Sequence, residues 1–439
     1  MKSSWGVQRQ SLDSYFLRKA ATLRTELALS HEGGVLAKSR EFWKDNVIFG
    51  AASLIAGVFN YLYHVVLAHV LGPGQYGDLT TFLNVTSFLV LPGPVITLLY
   101  TRLGRRTGGA GRRESLWLWG GGVGIWLALM LFSRPLGRTL HVSPILMVVF
   151  TLEVVPSLAL AANFGILQRV RWYLWVGLLT VLITGFRVIA AAIAAFLHFF
   201  PLFSVGLLES VAAFVAFMAS RGLAARAPLV GEPSKADVIS GTAVVGVINV
   251  FLAISDGLMA KHSLGPIAAG RFNGLATIGH TVQFISGSFG TVMLTSAIAD
   301  PEKRLRFLGT TTAVYGGIAL AAQAVFITRG RWVVLTVLGL HFIPVVAWLP
   351  YYGWGMIALG LINIAMLYSV ALKRWEAIVT TGIGLVYWIW RLARSHSVGG
   401  FVRATTNTMM AVLLATVVMM VALEVWSRRR GGVRRRVEP

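Results

Sequence analysis

The stretch Leu71-Gly72-Pro73-Gly74-Gln75-Tyr76-Gly77 lies between two long apolar segments and is nearly repeated later in the chain. The later copy is Leu264-Gly265-Pro266-Ile267-Ala268-Ala269-Gly270, and it also follows one apolar run and precedes another. Both read L-G-P-x-x-x-G, and equivalent positions of the two copies are 193 residues apart (264 − 71). Gly-Pro is expected to close one helix, and the trailing glycine to let the next begin after a tight connection. Two copies at equivalent places predict a duplicated helix bundle, which is common among membrane transporters.

The composition places the chain in a membrane. Of its 439 residues 56% are hydrophobic and only 13% are charged, and the mean hydropathy is +0.71. Soluble domains of this size are not so apolar. Several segments of about twenty mostly apolar residues are long enough to cross a bilayer as helices. The fold class is therefore an all-α polytopic membrane protein.

The formal net charge of +22 does not indicate a nucleic-acid partner. The basic residues lie mainly in the tails and the short loops between spans, where the positive-inside rule and anionic lipid account for them. The chain has no cysteine, which excludes disulfides and thiolate metal sites. The first residues are too polar for a signal peptide, so we expect a cytoplasmic tail.

Twelve transmembrane helices are predicted. The segment Trp332–Leu349 is interrupted at Pro344 and followed by Pro350, so a short helix outside the cytoplasm is expected there, with a thirteenth span as the alternative. The predicted regions are a tail at 1–45, a six-helix bundle at 46–219, a linker at 220–237, a second six-helix bundle at 238–426 and a basic tail at 427–439. The predicted spans are about 46–68, 79–100, 115–132, 144–167, 173–199, 202–219, 238–259, 272–298, 308–328, 350–372, 376–391 and 405–426.

The distribution of Lys and Arg predicts the orientation. With both termini in the cytoplasm, 29 of the 39 basic residues fall on the cytoplasmic side, 9 fall in external loops, and Arg187 lies inside a span. This bias has the sign that the positive-inside rule requires. The external loops are all short, which leaves no room for an external catalytic domain.

Three stretches resemble the polysaccharide flippase branch of the multidrug/oligosaccharidyl-lipid/polysaccharide exporter superfamily, which serves O-unit and capsule export. They are Asn46-Val47-Ile48-Phe49-Gly50, the L-G-P-x-x-Y-G element at 71–77, and Gly165-Ile166-Leu167-Gln168-Arg169. The second copy departs from the first because it has Ala269 where the first has Tyr76.

The resemblance implies two six-helix bundles around a central cavity in the bacterial cytoplasmic membrane. It also implies a function: moving a polyprenyl-pyrophosphate-linked oligosaccharide from the inner to the outer leaflet. The implied partners are that lipid-linked oligosaccharide, membrane lipids and other proteins of polysaccharide export, with no cofactor and no nucleic acid.

Arg187 is the first candidate site residue because a charge inside a span costs about 2.5–3.5 kcal/mol even on lenient insertion scales. Small and polar residues share its helical stripe, at Thr180, Thr184, Ala191 and Ala194, so this side is expected to face the bundle or a wet cavity. Two interpretations remain open. Arg187 either attracts a pyrophosphate or neutralises an intramembrane carboxylate.

Three carboxylates inside spans are candidates for ion coupling: Glu153, Glu209 and Asp256. A lone acid in a transporter span can carry a proton or help to bind sodium. Glu153 is a potential partner of Arg187. For Asp256 the alternative is solvation near the outer interface.

Polar residues on three spans are further candidates for lining the cavity. Span one carries a polar seam that includes Asn60 and His64, for which close packing through glycines is the alternative. Span seven adds Asn249 beside Asp256, and span eight presents Asn273 and His280 with Gln283 next to them. A hydrogen-bonded structural role is the alternative for His280.

No enzyme is expected. The sequence has no Walker A loop, no H-E-x-x-H cluster and no G-x-S-x-G element, so catalytic residues and a metal site are not predicted. The alternatives to a flippase of surface-polysaccharide precursors are a multidrug/cation antiporter of the same superfamily and a lipid II or teichoic-type flippase. A membrane polysaccharide polymerase or glycosyltransferase is a further alternative that the short loops disfavour.

Overall fold

The computed structural model describes residues 50–52, 54–103, 108–197, 201–228 and 239–434. All regular structure in these residues is helical, as the sequence predicts. The predicted N-terminal tail, residues 46–49 of the first resembling stretch, residues 229–237 of the linker and the last five residues of the basic tail lie outside the described residues.

The helices follow one another with short connections, and three 3₁₀ segments join them at Thr151–Glu153, Pro301–Lys303 and Leu340–Trp348. The α-helices are α1 (Gly50–Leu89), α2 (Pro92–Leu103), α3 (Gly108–Leu140), α4 (Pro144–Phe150), α5 (Val154–Arg169), α6 (Tyr173–Leu197), α7 (Pro201–Arg226), α8 (Ile239–Ser263), α9 (Pro266–Ala299), α10 (Arg304–Val337), α11 (Leu349–Ala371), α12 (Glu376–Ala393) and α13 (Val398–Arg434).

Ten stretches of the described residues are long and apolar enough to cross a membrane. One of them, α1, has 40 residues, which is about 60 Å of helix and twice the hydrocarbon thickness of a bilayer. Its path changes at Gly72, whose φ of +64° lies in the left-handed region. Helix α1 thus has two arms, and a turn at Val90-Leu91 joins the second arm to α2. With α12, this arrangement agrees with the prediction of about twelve helices.

Several predicted boundaries are wrong. The segment Trp332–Leu349 is neither one short helix nor a thirteenth span. Its first part continues α10 to Val337, and its second part is a nine-residue 3₁₀ segment that is too short to cross a bilayer. Helix α7 extends to Arg226, into the predicted linker, because no helix-breaking residue precedes Pro228.

The two L-G-P-x-x-x-G copies differ from the prediction in the role of their trailing glycines. Pro266 is the first residue of α9, and its missing N–H costs nothing at that position. Gly77 and Gly270 lie inside helices and let the two backbones approach each other. A Cβ atom placed on Gly77 would be 2.9 Å from the Gly270 Cα, and one placed on Gly270 would overlap the Pro73 carbonyl.

The contact is symmetric in sequence. Gly77 and Gly270 are equivalent residues of the two copies, and so are Thr80 and Asn273, whose side chains form a hydrogen bond of 2.8 Å with a spacing of 193 residues. The same residues of a duplicated unit therefore meet at one point between the halves. We call the end of the molecule that holds both copies the Gly-Pro end.

A second feature that the two halves share is a helix-ending turn at the opposite end of the molecule. Arg171 follows α5 and Lys373 follows α11, and both have positive φ. In each turn, the N–H of the positive-φ residue donates to the carbonyl of the residue three positions earlier. The N–H of the residue that follows it donates to the carbonyl five positions before that following residue. These are Schellman endings of equivalent helices. They support the two-bundle prediction by a feature that composition does not reveal.

Helices α2 to α7 pack mainly on one another, and α9 to α13 pack mainly on one another, with α8 touching both sets. The core contains large side chains that are less than 2% exposed; they include Tyr63, Tyr76, Phe82, Phe150, Phe272, Tyr315, Phe342, Tyr352 and Trp388. The exposed apolar side chains on α6, such as Leu178, Leu182 and Ile189, lie opposite the buried Ala191 and Ala194. This confirms the prediction that the small side of α6 faces the bundle.

The contact at the Gly-Pro end yields a prediction for cross-linking. In a T80C/N273C variant the introduced thiols replace a hydrogen-bonded pair, and the natural chain has no cysteine to interfere, so mild oxidation should give an intramolecular disulfide. The control is Q168C/A243C, whose positions line a cavity between the halves at the other end and should not cross-link in this state. Efficient cross-linking of the control alone would contradict the described arrangement.

Adding one methyl group at Gly270 should loosen this contact, because the methyl would overlap the Pro73 carbonyl. We expect G270A to lower the yield of the T80C/N273C disulfide at least several-fold. The matched control is G265A in the same motif, where an added Cβ would meet no atom within 4 Å. Equal yields in the two variants would show that the close backbone approach is not required.

Candidate functional site

Arg187 lies between two glutamates inside the first set of helices. Its Nη2 is 3.6 Å from Glu153 Oε1, and its Nε is 3.5 Å from Glu209 Oε1. The Glu209 side chain has no exposed surface, the Glu153 side chain is 12% exposed, and the Arg187 side chain is 24% exposed. The proposed partnership of Arg187 with an intramembrane carboxylate is therefore present in the structure, and it involves two carboxylates.

Three helices bring these groups together. Arg187 stands about 21 Å along α6 from its first residue, which is near the middle of a bilayer-spanning helix. Glu153 ends the 3₁₀ turn between α4 and α5, where the chain departs from α-helical geometry shortly before Pro156. This turn and α5 pack against α7, which carries Glu209. A helix break thus places one carboxylate across from the other.

The charges in this cluster do not cancel when both glutamates are ionised. Two carboxylates then face one guanidinium, and both Glu209 oxygens lie buried without a hydrogen-bond partner among the described residues. A buried acceptor without a partner costs about 1–3 kcal/mol, and more if it is charged. The cluster is therefore suited to take up a proton or a small cation.

A pair of hydrogen bonds near this cluster crosses to the second set of helices. Tyr63 and His64 on α1 lie in the neighbourhood of Arg187. His64 Nδ1 is 3.1 Å from the Tyr76 hydroxyl, and that hydroxyl donates to Thr277 Oγ1 at 3.0 Å. The tyrosine of the L-G-P-x-x-Y-G element thus joins the two halves directly. The second copy has no tyrosine there, because Ala269 takes its place.

A second buried cluster lies between α8, α9 and α11. The Tyr352 hydroxyl donates to Asp256 Oδ2 at 2.6 Å, and His280 Nε2 lies 3.1 Å from the same oxygen. Asp256 Oδ1 accepts the Gly257 N–H at 2.7 Å. Asp256 is 1% exposed and His280 is 6% exposed. The alternative for Asp256, solvation near the outer interface, does not agree with the structure, because helices α8, α9 and α11 enclose the side chain.

The remaining predicted cavity residues are dispersed. Asn273 bonds Thr80 at the contact between the halves, and Asn249 bonds Asn363 at 2.9 Å within the second set of helices. Gln283 is 5% exposed, with its Oε1 buried and unpaired among the described residues. Asn60 is half-buried, and a Cβ atom added at Gly50 or Gly57 of its seam would meet no atom within 4 Å. Among the described residues, no helix packs closely on those two glycines.

The halves are in contact at the Gly-Pro end, and a cavity lies between them toward the other end. Besides the glycine contact, buried Lys261 of α8 forms an ion pair with Asp78 of α1, and His262 lies 3.1 Å from the Thr139 carbonyl. Toward the opposite end, α2, α5 and α8 enclose a cavity of about 350 Å³. It is lined by Leu91, Pro94, Val95, Thr97, Leu98, Gln168, Ala243, Gly246 and Val247.

Sequence reasoning missed three participants. They are Tyr352, which follows Pro350 closely, and the ion pair of Lys261 with Asp78. The sequence did contain a signal for the ion pair. Lys261 and Asp78 each lie close to an L-G-P copy and border an apolar run, where an unpaired charge is costly.

No protein-family model matches the sequence. No curated protein matches it either. Solved structures do match in fold. An inward-facing multidrug resistance MATE family transporter of the MOP superfamily gives a TM-score of 0.67 at 11% identity, over 90% of this chain and 100% of that one. A MATE transporter in complex with MaL6 gives a TM-score of 0.59 at 13% identity, and the match covers 90% of this chain and 97% of that one.

The outward-facing conformation of a multidrug resistance MATE family transporter gives a lower TM-score of 0.55, at 12% identity and over 90% and 97% of the two chains. The described structure is thus more similar to the inward-facing example. At these identities the likeness establishes the architecture. The chain is a multi-pass membrane protein with the fold of the MATE-family transporters of the MOP superfamily.

Proposed function

We propose that the chain is an ion-coupled antiporter that exports cationic or amphipathic small molecules by alternating access of its two halves. The observation that carries this proposal is the sign of the buried charge. Glu153, Glu209 and Asp256 stand against a single arginine, Arg187, in the two clusters. An excess of carboxylate attracts cations into a medium that otherwise excludes them.

The clusters are suited to exchange protons or metal cations with the substrate. In the second cluster, the carboxylate of Asp256 accepts from Tyr352 and lies beside His280. Taking up one proton there removes a buried charge and changes which of the three groups donates. A substrate cation that competes for the same negative charge is then released when the ion binds, which is the basis of antiport.

The arrangement of the halves supports alternating access. They are in contact at the Gly-Pro end, and the cavity of about 350 Å³ lies between α2, α5 and α8 at the other. The Tyr76–Thr277 bond and the Asp78–Lys261 pair both cross the contact. Opening this end must break them, so their energy sets part of the balance between the two states.

A flippase for polyprenyl-pyrophosphate-linked oligosaccharide is the second candidate. It is favoured by the L-G-P-x-x-Y-G element and by the 24% of the Arg187 side chain that stays exposed for a phosphate group. The two glutamates beside Arg187 weaken this candidate, because they repel a pyrophosphate from the same guanidinium. A lipid II or teichoic-type flippase would differ in head group and would meet the same repulsion. A polymerase has less support, because the described connections between helices are short.

A deletion strain separates the candidates. The antiporter predicts increased sensitivity to cationic amphipathic compounds, with no change in polyprenyl-linked lipids measured by mass spectrometry. Lipid-linked oligosaccharide that accumulates on the inner leaflet, probed with an impermeant reagent, would contradict the antiporter and support the flippase. Complementation by the natural chain is the control for either phenotype.

Replacing Asp256 with asparagine should uncouple transport. D256N keeps the size of the side chain but removes the charge that ions and substrate share. In proteoliposomes with an imposed proton or sodium gradient, we expect gradient-driven uptake of a cationic dye to fall at least tenfold. D300N, at the turn between α9 and α10, removes the same charge from a more exposed position and should retain uptake. Normal gradient-driven uptake by D256N would exclude Asp256 from coupling.

Charge balance around Arg187 gives a prediction for stability. Removing one partner from a buried pair typically costs about 3–5 kcal/mol, because it leaves an unpaired charge. R187Q should therefore lower the melting temperature in detergent more than R187Q/E209Q does, since the double variant also removes one carboxylate. If R187Q melts like the natural chain but loses transport, Arg187 contacts substrate and does not serve structure.

A further inference from the structure

The Gly-Pro end of the second half carries a basic surface without an acidic partner among the described residues. Five arginines lie there, on the end of α10, the end of α12 and the start of α13, and each is exposed or half-buried. The acidic residues described in this half lie elsewhere. Asp256 is buried, and Asp300, Glu302, Glu376 and Glu424 belong to the opposite helix ends. The five arginines are Arg329, Arg331, Arg391, Arg394 and Arg403.

Two of these arginines are held on aromatic rings at the end of α12. The Arg394 guanidinium carbon lies 4.2 Å from the centre of the Trp390 ring, and that of Arg391 lies 6.0 Å from the centre of the Tyr387 ring. The two rings stack on each other, with centroids 5.7 Å apart. Cation–π contact positions a guanidinium while leaving its N–H donors free. Neither arginine has an ion pair with a carboxylate of the described residues.

A third arginine lies on α13, past the short connection from α12. Arg403 lies with its guanidinium carbon 5.7 Å from the Trp348 ring centre. Trp348 in turn lies against Gly399 in the first turn of α13, where a side chain larger than hydrogen would meet the indole. The glycine therefore keeps the Trp348 platform close to the start of α13.

An apolar strip continues from these arginines along α12. Val386 is 70% exposed, Ile383 is 67% exposed and Val379 is 54% exposed, and they follow one another at helical spacing on the side of Tyr387 and Trp390. From Trp390 to Val379 the helix rises about 16 Å, which is roughly half of the hydrocarbon thickness of a bilayer. The strip therefore has the length of one leaflet.

We propose that this surface binds an anionic glycerophospholipid, with its phosphate between Arg391, Arg394 and Arg403 and its acyl chains along the α12 strip. Guanidinium groups donate to phosphate oxygens with two parallel hydrogen bonds. An anionic headgroup is favoured over a zwitterionic one because no carboxylate among the described residues of the site is placed to receive an ammonium group. The Trp390 and Tyr387 rings lie at the level of the headgroups, where amphipathic rings are favoured.

The test is lipid competition on the purified full-length protein, read by native mass spectrometry after mixing with equal amounts of phosphatidylglycerol and phosphatidylcholine. We expect a clear preference for phosphatidylglycerol. Each arginine near an anionic lipid surface raises the binding affinity roughly fivefold. R391Q/R394Q should therefore lose most of the preference for phosphatidylglycerol. The matched control is R329Q/R331Q, which removes the same charge from α10, where no aromatic platform among the described residues holds the arginines.

W390A provides a second variant because it keeps every charge and removes the ring under Arg394. It should lower the preference while leaving the melting temperature in detergent close to that of the natural chain, since Trp390 is 47% exposed. The proposal is overturned if the natural chain shows no preference, or if R329Q/R331Q loses as much as R391Q/R394Q. It is also overturned if polyprenyl pyrophosphate displaces phosphatidylglycerol at equal concentration, because the surface would then belong to a transported substrate. None of these readouts depends on antiport.

Discussion

The close approach of Gly77 and Gly270 is the contact on which the arrangement of the two halves depends. Two helices can meet backbone to backbone only where neither carries a side chain, and each L-G-P-x-x-x-G copy supplies one such position four residues after its proline. This approach brings Thr80 within 2.8 Å of Asn273 and the Tyr76 hydroxyl within 3.0 Å of Thr277. The polar contacts that cross between the halves are therefore consequences of two glycines.

The second constraint is the cost of charge in a bilayer. The structure meets it by pairing. Arg187 has two glutamates, and buried Lys261 has Asp78. Asp256 has Tyr352 and His280 in place of a permanent cation. Both clusters carry more carboxylate than permanent cation, so each balances only when a proton or another cation is present. The Asp256 cluster contains no arginine or lysine, and it is the one we associate with ion coupling.

The two buried clusters also lie near the contact that must open when the halves move. His64, beside the Arg187 cluster, reaches Tyr76, which reaches Thr277, and Thr277 lies one helical turn from His280 on α9. Opening the Gly-Pro end would break the Tyr76–Thr277 bond. Both clusters lie near groups that meet across the halves only in the closed state, and we propose that this proximity links ion binding to the conformation of the halves.

Much of this could be predicted from local sequence, and the rest depended on contacts between distant segments. The helical class follows from the apolar runs, and the small face of α6 follows from the spacing of Thr180, Thr184 and Arg187. The pairing of Arg187 with Glu153 was one of two interpretations, since residues on separate helices have no defined distance in a sequence. Tyr352 was missed because its role requires α11 to pack on α9. The ends of α7 and α10 were misplaced because tertiary packing extends helices past weak stop signals.

The central claim is that the two halves open alternately at the Gly-Pro end and at the opposite end, and paired spin-label distances test it most directly. One pair, H141C/H396C, reports the Gly-Pro end, and the other, L174C/W375C, reports the opposite end, where Leu174 and Trp375 are 53% and 46% exposed. On adding a transported cation or changing the pH in nanodiscs, we expect one distance distribution to lengthen as the other shortens. Distances that both stay fixed, or that change in the same direction, would contradict alternating access in this protein.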